Sequence, residues 1–347
     1  MATILILGAG VMGSALAVPG ADNGHDVLLV GTPLDAEAVT RMKKPAGVHP
    51  KLDHSLPERV MPLSENEMNA AHVETADVIV VGVSSPGIPW AVDRLNRLMV
   101  RERPVAFVTK GLDRAGASLT TLAESLPSQL PRMKTFIGIG GPCIARELAN
   151  RNPTACVYAS ADAETAAKNF AALMATDYYR LSTTDDVTGV EACAALKNFY
   201  AIGVAAMQTR YPDAARIDGQ SKNPTAAAFT QAALEMARLC ERFGGRRETA
   251  FDLAGIGDLH VTVGGGRNSK LGHGLGLGRT VSDMMAGELA GETVEGIDTA
   301  RMLSTWLEPA PGLDALDRAR FPLALAIMDA VLHDKPFAFG FRNLTVS

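Results

Sequence analysis

The chain has 347 residues, with 33 Lys and Arg against 38 Asp and Glu for a formal net charge of -5, and is 47% hydrophobic. That composition excludes a disordered chain, and its acidic balance offers no basic field to hold a nucleic-acid backbone, so small molecules are the expected partners. At roughly 100–200 residues per domain, the length predicts about two domains, each burying its own core.

In the first half, short β-branched runs alternate with helical stretches, the pattern of a parallel sheet with helices on its faces. Strands are predicted over 3–7, 26–30, 78–83, 105–109, 135–138 and 154–159. All are apolar on both faces, as strands covered by helices on each side must be. After about Leu181, Ala-, Leu- and Met-rich segments take over. Residues 182–186 (Ser-Thr-Thr-Asp-Asp) form a cluster of N-cap candidates, and a long helix is predicted over 187–207. A second is predicted over 224–243, where Phe229, Ala233, Met236, Cys240 and Phe243 fall on one face. The expected organisation is therefore an α/β Rossmann-type N-terminal domain over 1–184 and an all-α domain over 185–347. Two polar connections, 209–223 and 308–320, read as long loops or lids, and the Ala- and Met-rich helical faces permit a homodimer.

The four cysteines, Cys143, Cys156, Cys193 and Cys240, are far apart and contain no C-x-x-C pair, so neither a metal knuckle nor a redox dithiol is expected. Residues 4–7 run straight into glycines rather than forming a leader, and apolar stretches such as 78–83 fall short of the ~20 residues of a membrane span. A cytoplasmic protein without a membrane span is the expectation.

The first strand feeds Gly8-Ala9-Gly10-Val11-Met12-Gly13, followed by a helical Ser14-Ala15-Leu16-Ala17. Glycines in this strand-turn-helix setting permit the tight turn and the close approach of a pyrophosphate, and the helix N-terminus supplies free N–H groups. The second strand ends at Val30-Gly31-Thr32-Pro33, where an NAD site usually places an acidic residue on the ribose. Asp35 is the nearest carboxylate. Thr32 is suited to a 2′-phosphate, with Arg41, Lys43 and Lys44 further along, which leans towards NADP(H) over NAD(H).

Three later segments concentrate reactive groups. Val108-Thr109-Lys110-Gly111-Leu112 places a lysine just after a strand, at the sheet edge where ligands of α/β proteins bind. Gly189 to Asn198 carries Lys197 inside a helix of small residues, where desolvation can tune an amine for proton transfer. Gly255 to Asn268 joins Asp258, a possible partner for a lysine, to a glycine-rich loop bearing Arg267, whose fork suits phosphate.

With these segments in view, the chain resembles the NAD(P)-dependent glycerol-3-phosphate dehydrogenases. The resemblance is carried, in order, by the Gly8–Gly13 turn, Thr109-Lys110-Gly111-Leu112, Gly141-Pro142-Cys143-Ile144-Ala145-Arg146-Glu147-Leu148, Leu196-Lys197-Asn198, the Asp258 to Asn268 loop and Val294-Glu295-Gly296. It implies a Rossmann-type domain followed by a helical domain like that of the 6-phosphogluconate dehydrogenase C-terminus, with substrate between the two. It also implies reduction of dihydroxyacetone phosphate, or a related phosphorylated ketose, to sn-glycerol 3-phosphate by hydride transfer from NAD(P)H.

By the same resemblance, Lys197 is the general acid/base, Asp258 the carboxylate that orients it, and Lys110 a second cation near substrate and cofactor. Gly141, Asn198, Thr262, Arg267 and Asn268 line the substrate. Gly8, Gly10, Val11, Met12, Gly13, Thr32, Ala145, Arg267 and Glu295 contact the cofactor, and no metal is implied. The chain departs from the family's usual pattern at Thr225, which stands where a basic residue is common with Lys222 nearby, and at Ser84-Ser85 after the 78–83 strand. A ketopantoate-reductase-like or other hydroxyacid dehydrogenase, and a dinucleotide-sensing protein without catalysis, are the alternatives. Arg267-Asn268 favours a phosphate dianion over a lone carboxylate, and the joint presence of Lys197, Asp258 and Lys110 favours an enzyme.

Overall fold

The computed structural model describes residues 1–44, 47–52, 54–115, 118–212, 214, 217–308 and 316–345. It divides into two compact units, Met1–Lys110 with Leu122–Glu191, and Gly111–Thr121 with Ala192–Ser347.

Ten strands are present among the described residues: β1 (Thr3–Leu7), β2 (Asp26–Val30), β3 (Val60–Leu63), β4 (Val78–Val81), β5 (Arg103–Phe107), β6 (Leu112–Ala115), β7 (Ser118–Thr121), β8 (Met133–Gly140), β9 (Thr154–Ala159) and β10 (Tyr179–Thr184). The helices of the first unit are α1 (Val11–Asp22), α2 (Ala36–Met42), α3 (Ala70–Thr75), α4 (Ile88–Leu98), α5 (Leu122–Gln129), α6 (Ala145–Ala149) and α7 (Lys168–Met174). Those that follow are α8 (Val187–Arg210), α9 (Asn223–Phe243), α10 (Asp258–Val263), α11 (Arg267–Gly276), α12 (Val281–Ala286), α13 (Glu295–Leu307) and α14 (Pro322–His333).

The first unit is an eight-stranded sheet in the order β10-β9-β8-β5-β4-β1-β2-β3. β1 is flanked by β2 and β4, parallel to both, and the order in which strands are added reverses at this point, where sheets of this kind bind ligands at the strands' carboxyl ends. Alternation along each central strand serves two cores at once. Ile4, Ile6, Val27, Leu29, Val78 and Val80 belong to one buried cluster, while Leu5, Leu7, Leu28, Val30, Ile79 and Val81 belong to the other. This is why the predicted strands read as unbroken apolar runs.

The sheet is not wholly parallel: β8 and β9 pair antiparallel, because the chain turns back through Gly141 and the short α6 rather than through a full crossover. The strands missed by sequence reasoning are marginal ones. β3 lies at a sheet edge and contains Pro62, tolerated only there. β10 is the opposite edge, so Ser182 to Thr184, expected as helix caps, continue a strand paired with β9. The cap of α8 falls to Asp186, whose carboxylate accepts from Gly189 N at 3.1 Å.

In the second unit α8 is the central element, with Ala192 to Met207 buried without interruption. It is long and apolar enough to cross a bilayer, and its apolar window is entirely buried inside the structure, as befits a core helix. Neighbouring helices approach it through glycines. A Cβ on Gly272 of α11 would stand 2.3 Å from Ile202 O, and one on Gly276 would stand 2.1 Å from Ala206 O. Gly203 of α8 makes room in turn for Leu323 and Ile327 of α14.

The β6–β7 hairpin, also missed, belongs to this unit although it is encoded in the first half of the chain. Of the two connections expected as loops or lids, residues 213, 215, 216 and 309–315 lie outside the described residues. Ser221 folds back onto α8, its hydroxyl donating to Met207 O at 2.9 Å.

Candidate active site

The glycine turn of the first unit has the local chemistry of a dinucleotide site. Gly8 has φ 110°, and a Cβ there would stand 2.9 Å from the Gly82 backbone at the end of β4. A Cβ on Gly13 would lie 2.0 Å from Gly8 O. These two glycines are required by packing. Around Gly10, by contrast, nothing lies within 4 Å of the position a Cβ would take, and Gly10 gives α1 no side-chain cap. The free N–H groups at the start of α1, Val11, Met12 and Gly13, therefore adjoin open space beside a residue with no side chain, which fits the pyrophosphate of a nicotinamide dinucleotide.

Asp35 is fastened into the glycine turn. Its Oδ2 accepts from Thr32 N at 2.9 Å, from Thr32 Oγ1 at 2.8 Å and from Ala9 N at 3.2 Å, which ties the end of β2 to the glycine turn. The hydroxyl proton of Thr32 is thus directed to Asp35. His49, which carried no recognisable signal in the sequence, is buried, and burial lowers its pKa against the opposing pull of the Ala9 backbone.

Lys110 follows the carboxyl end of β5, and its carbonyl accepts from Ser85 Oγ at 3.0 Å. Gly141 has φ 117° and faces the Cys156 backbone, where a Cβ would approach to 3.1 Å. Ala145 opens α6 and packs, with Val11 and Met12, against one apolar cluster.

The second unit gathers the remaining residues. Lys197 Nζ lies 3.0 Å from Asp258 Oδ1 and donates to Thr262 Oγ1 at 2.7 Å, while the Thr262 hydroxyl donates to Asp258 O at 2.7 Å. The Lys197 and Asp258 side chains are 9% and 2% exposed. Asp258 begins α10 directly after a wide turn over Leu253–Gly257, in which a Cβ on Gly255 would strike Ala250 O at 2.0 Å. Turns of this kind recur at functional sites.

One residue after Lys197, Asn198 Oδ1 accepts from Asn268 Nδ2 at 3.1 Å, and Asn268 Oδ1 accepts from Gly296 N at 2.9 Å. Arg267 meets Glu295 through Nη2, and Glu292 Oε2 lies 3.6 Å from its Nη1. Three distant motifs thus converge: Lys197-Asn198, Arg267-Asn268 and Glu295-Gly296. Sequence reasoning did not single out Glu292, although a carboxylate three residues before Glu295 was the available signal. Lys222 pairs with Asp218 at 3.0 Å, and Thr225 Oγ1 bonds Ser221 O. Among the described residues no cluster of His, Cys, Asp and Glu could hold a metal ion.

A dinucleotide turn in an α/β unit, with a buried lysine–carboxylate pair on helices of the other, defines an oxidoreductase acting on CH–OH groups. The family models carry this further: that for the N-terminus of NAD-dependent glycerol-3-phosphate dehydrogenase matches residues 3–166, and that for its C-terminus matches residues 186–338. The chain belongs to the NAD-dependent glycerol-3-phosphate dehydrogenase family.

It is 37% identical over 286 residues to the NADP(+)-dependent glycerol-3-phosphate dehydrogenase of Archaeoglobus fulgidus, covering 81% of this chain and 82% of that one. It is 31% identical over 345 residues to the glycerol-3-phosphate dehydrogenase [NAD(P)+] of Alcanivorax borkumensis, covering 98% and 92%. Among solved structures, the glycerol-3-phosphate dehydrogenase of Coxiella burnetii superposes with a TM-score of 0.78 at 27% identity, covering 96% of both chains.

Proposed function

We propose that the protein catalyses the NAD(P)H-dependent reduction of dihydroxyacetone phosphate, or a closely related phosphorylated ketose, to sn-glycerol 3-phosphate, and the reverse oxidation. The observation that carries this reading is the buried Lys197 ammonium, fixed by Asp258 and Thr262 beside an arginine fork at Arg267. A nicotinamide dinucleotide, bound at Gly8, Gly10, Val11, Met12 and Gly13 with Thr32, Ala145 and Glu295 as further contacts, supplies or accepts the hydride.

Lys197 holds a proton at Nζ and transfers it to the substrate oxygen as the carbonyl carbon is reduced, then regains one from solvent. In the reverse direction neutral Nζ accepts the alcohol proton. The cationic amine also stabilises the developing oxyanion. Asp258 and Thr262 fix the amine in one rotamer, so no conformational search precedes transfer. Arg267 takes the substrate phosphate, for which a planar fork is better suited than a point charge. Asn268 and Asn198 brace each other through their side-chain amides, and Lys110 and Gly141 are the further substrate contacts that the family resemblance implies.

Cytoplasmic residence accords with the four cysteines, all free thiols, and with a cofactor held in the cytoplasmic pool. The test is spectrophotometric: oxidation of NADH and NADPH is followed with dihydroxyacetone phosphate, then with larger phosphoketoses and 2-keto acids. Turnover confined to the 2-keto acids would overturn the reading.

A further inference from the structure

The turn from α12 to α13, residues 287–294, carries two carboxylates that close on the cations of α11 and its C-terminal flank. Glu288 pairs with Arg279 at 2.5 Å and lies 3.9 Å from Lys270. Glu292 addresses Arg267 Nη1 at 3.6 Å, while Glu295 takes Nη2. Gly291, at φ 75°, permits the tight reversal, and Glu292 N bonds back to Leu289 O at 3.0 Å. Arg267, Lys270, Glu288 and Glu292 border a cavity of about 370 Å³, with Gly265 and Gly266 also in its lining.

Both terminal nitrogens of Arg267 are therefore engaged by carboxylates. Bidentate capture of a phosphate needs two parallel N–H groups of the same guanidinium. Glu295 opens α13, held in place by the Asn268–Gly296 bond next to it, whereas Glu292 stands on the turn, 53% exposed, against an arginine 44% exposed. An ion pair so open to solvent is weak, and of the two carboxylates Glu292 is the one a dianion can replace without unseating a helix.

We propose that Glu292 is an internal competitor for Arg267. Its carboxylate occupies the guanidinium edge that the substrate phosphate must take, sets the affinity for phosphorylated ligands, and disfavours monoanionic carboxylates, which cannot outbid it. The proposal rests on the assignment of Arg267 to substrate phosphate made above.

The test titrates inorganic orthophosphate into wild type, Glu292→Gln, Arg267→Ala and the double variant by calorimetry at several salt concentrations. Glu292→Gln is expected to tighten orthophosphate about two- to fivefold, the range an exposed ion pair commands, and to steepen its salt dependence. In the Arg267→Ala background the same substitution is expected to have no effect. An unchanged or weakened affinity in Glu292→Gln, or an equal gain without Arg267, overturns the proposal. In steady-state assays KM for dihydroxyacetone phosphate should fall by the same factor with kcat held within about twofold. A protein that binds orthophosphate in this pattern yet never turns over dihydroxyacetone phosphate would refute the substrate assignment while leaving the role of Glu292 standing.

Discussion

Lys197 on α8 and Asp258 at the start of α10 form an ion pair of 3.0 Å with both side chains almost fully withdrawn from water. Its members are 61 residues apart, and Thr262, one turn after Asp258, joins them by donating to the Asp258 carbonyl and accepting from Lys197. Lys197→Ala is expected to lower kcat roughly 100- to 10,000-fold, the usual contribution of a positioned acid/base, with cofactor affinity retained. Asp258→Asn leaves a buried ammonium without its counter-charge, and should destabilise the fold by about 3–5 kcal/mol as well as slow turnover. Stopped-flow turnover and urea unfolding of the two variants separate these effects.

The close approach of α11 to α8 places Arg267 and Asn268 next to Lys197 and Asn198. Gly272→Ala would drive a methyl group to 2.3 Å from Ile202 O, a backbone atom that cannot swing aside. A loss of stability of about 1–3 kcal/mol or more is expected, together with a raised KM for the phosphorylated substrate as α11 shifts. Gly265→Ala is the control, since a Cβ there meets nothing within 4 Å, and its unfolding free energy should change by no more than about 0.5 kcal/mol. Equal stability of the two variants would mean that the helix contact is softer than its geometry states.

Much of this arrangement was legible in the chain. The apolar runs of β1, β2 and β4 announce themselves because both faces are buried, and α8 reads as helix because small and apolar residues continue beyond any strand's length. What escaped depended on partners far away in sequence. β10 ends in three consecutive polar residues, as a sheet edge allows, and only its pairing with β9 distinguishes Ser182 to Thr184 from helix caps. The β6–β7 hairpin lacks a long apolar run and finds its packing among the helices encoded after residue 191. At the site, residue types were readable, but Glu292 was not, because its significance lies in facing Arg267 across a turn rather than in any motif.

Two buried acids outside the proposed chemistry should govern how stability varies with pH above about 6.5. Glu191, fully enclosed with Oε2 unpartnered, has its pKa raised by burial from 4.5 to about 8. Glu235 accepts from Leu323 N and Ala324 N at the start of α14, yet burial outweighs these bonds and raises it to about 7. Each binds a proton more tightly in the folded than in the unfolded chain. Their stabilising contribution is therefore complete below about pH 4.5 and is withdrawn as pH rises through about 7 for Glu235 and about 8 for Glu191. Denaturant unfolding between pH 6.5 and 8.5, above the range in which His25, His49 and His273, all lowered from 6.5, change charge, should show stability falling with pH, by up to about 1.4 kcal/mol per unit for each group. Glu191→Gln, neutral throughout, should flatten its share of that slope. A Glu191→Gln curve parallel to that of wild type would show that Glu191 is not the group responsible.

Asp35 stands where it can act on the adenosine end of the proposed cofactor site. Its carboxylate draws Ala9 N and Thr32 N together, and so places a negative charge near the end of β2, where a Rossmann-type fold receives the ribose. A 2′-phosphate entering there meets repulsion that a 2′-hydroxyl does not. Asp35→Asn keeps an acceptor oxygen for the two amides while removing the charge, so the turn should hold its shape. The ratio of kcat/KM for NADPH to that for NADH should then rise by about tenfold, the equivalent of roughly 1.4 kcal/mol, whichever coenzyme the wild type prefers. If both values fell together and the ratio stayed fixed, Asp35 would be a fastener of the glycine turn with no part in choosing between the coenzymes.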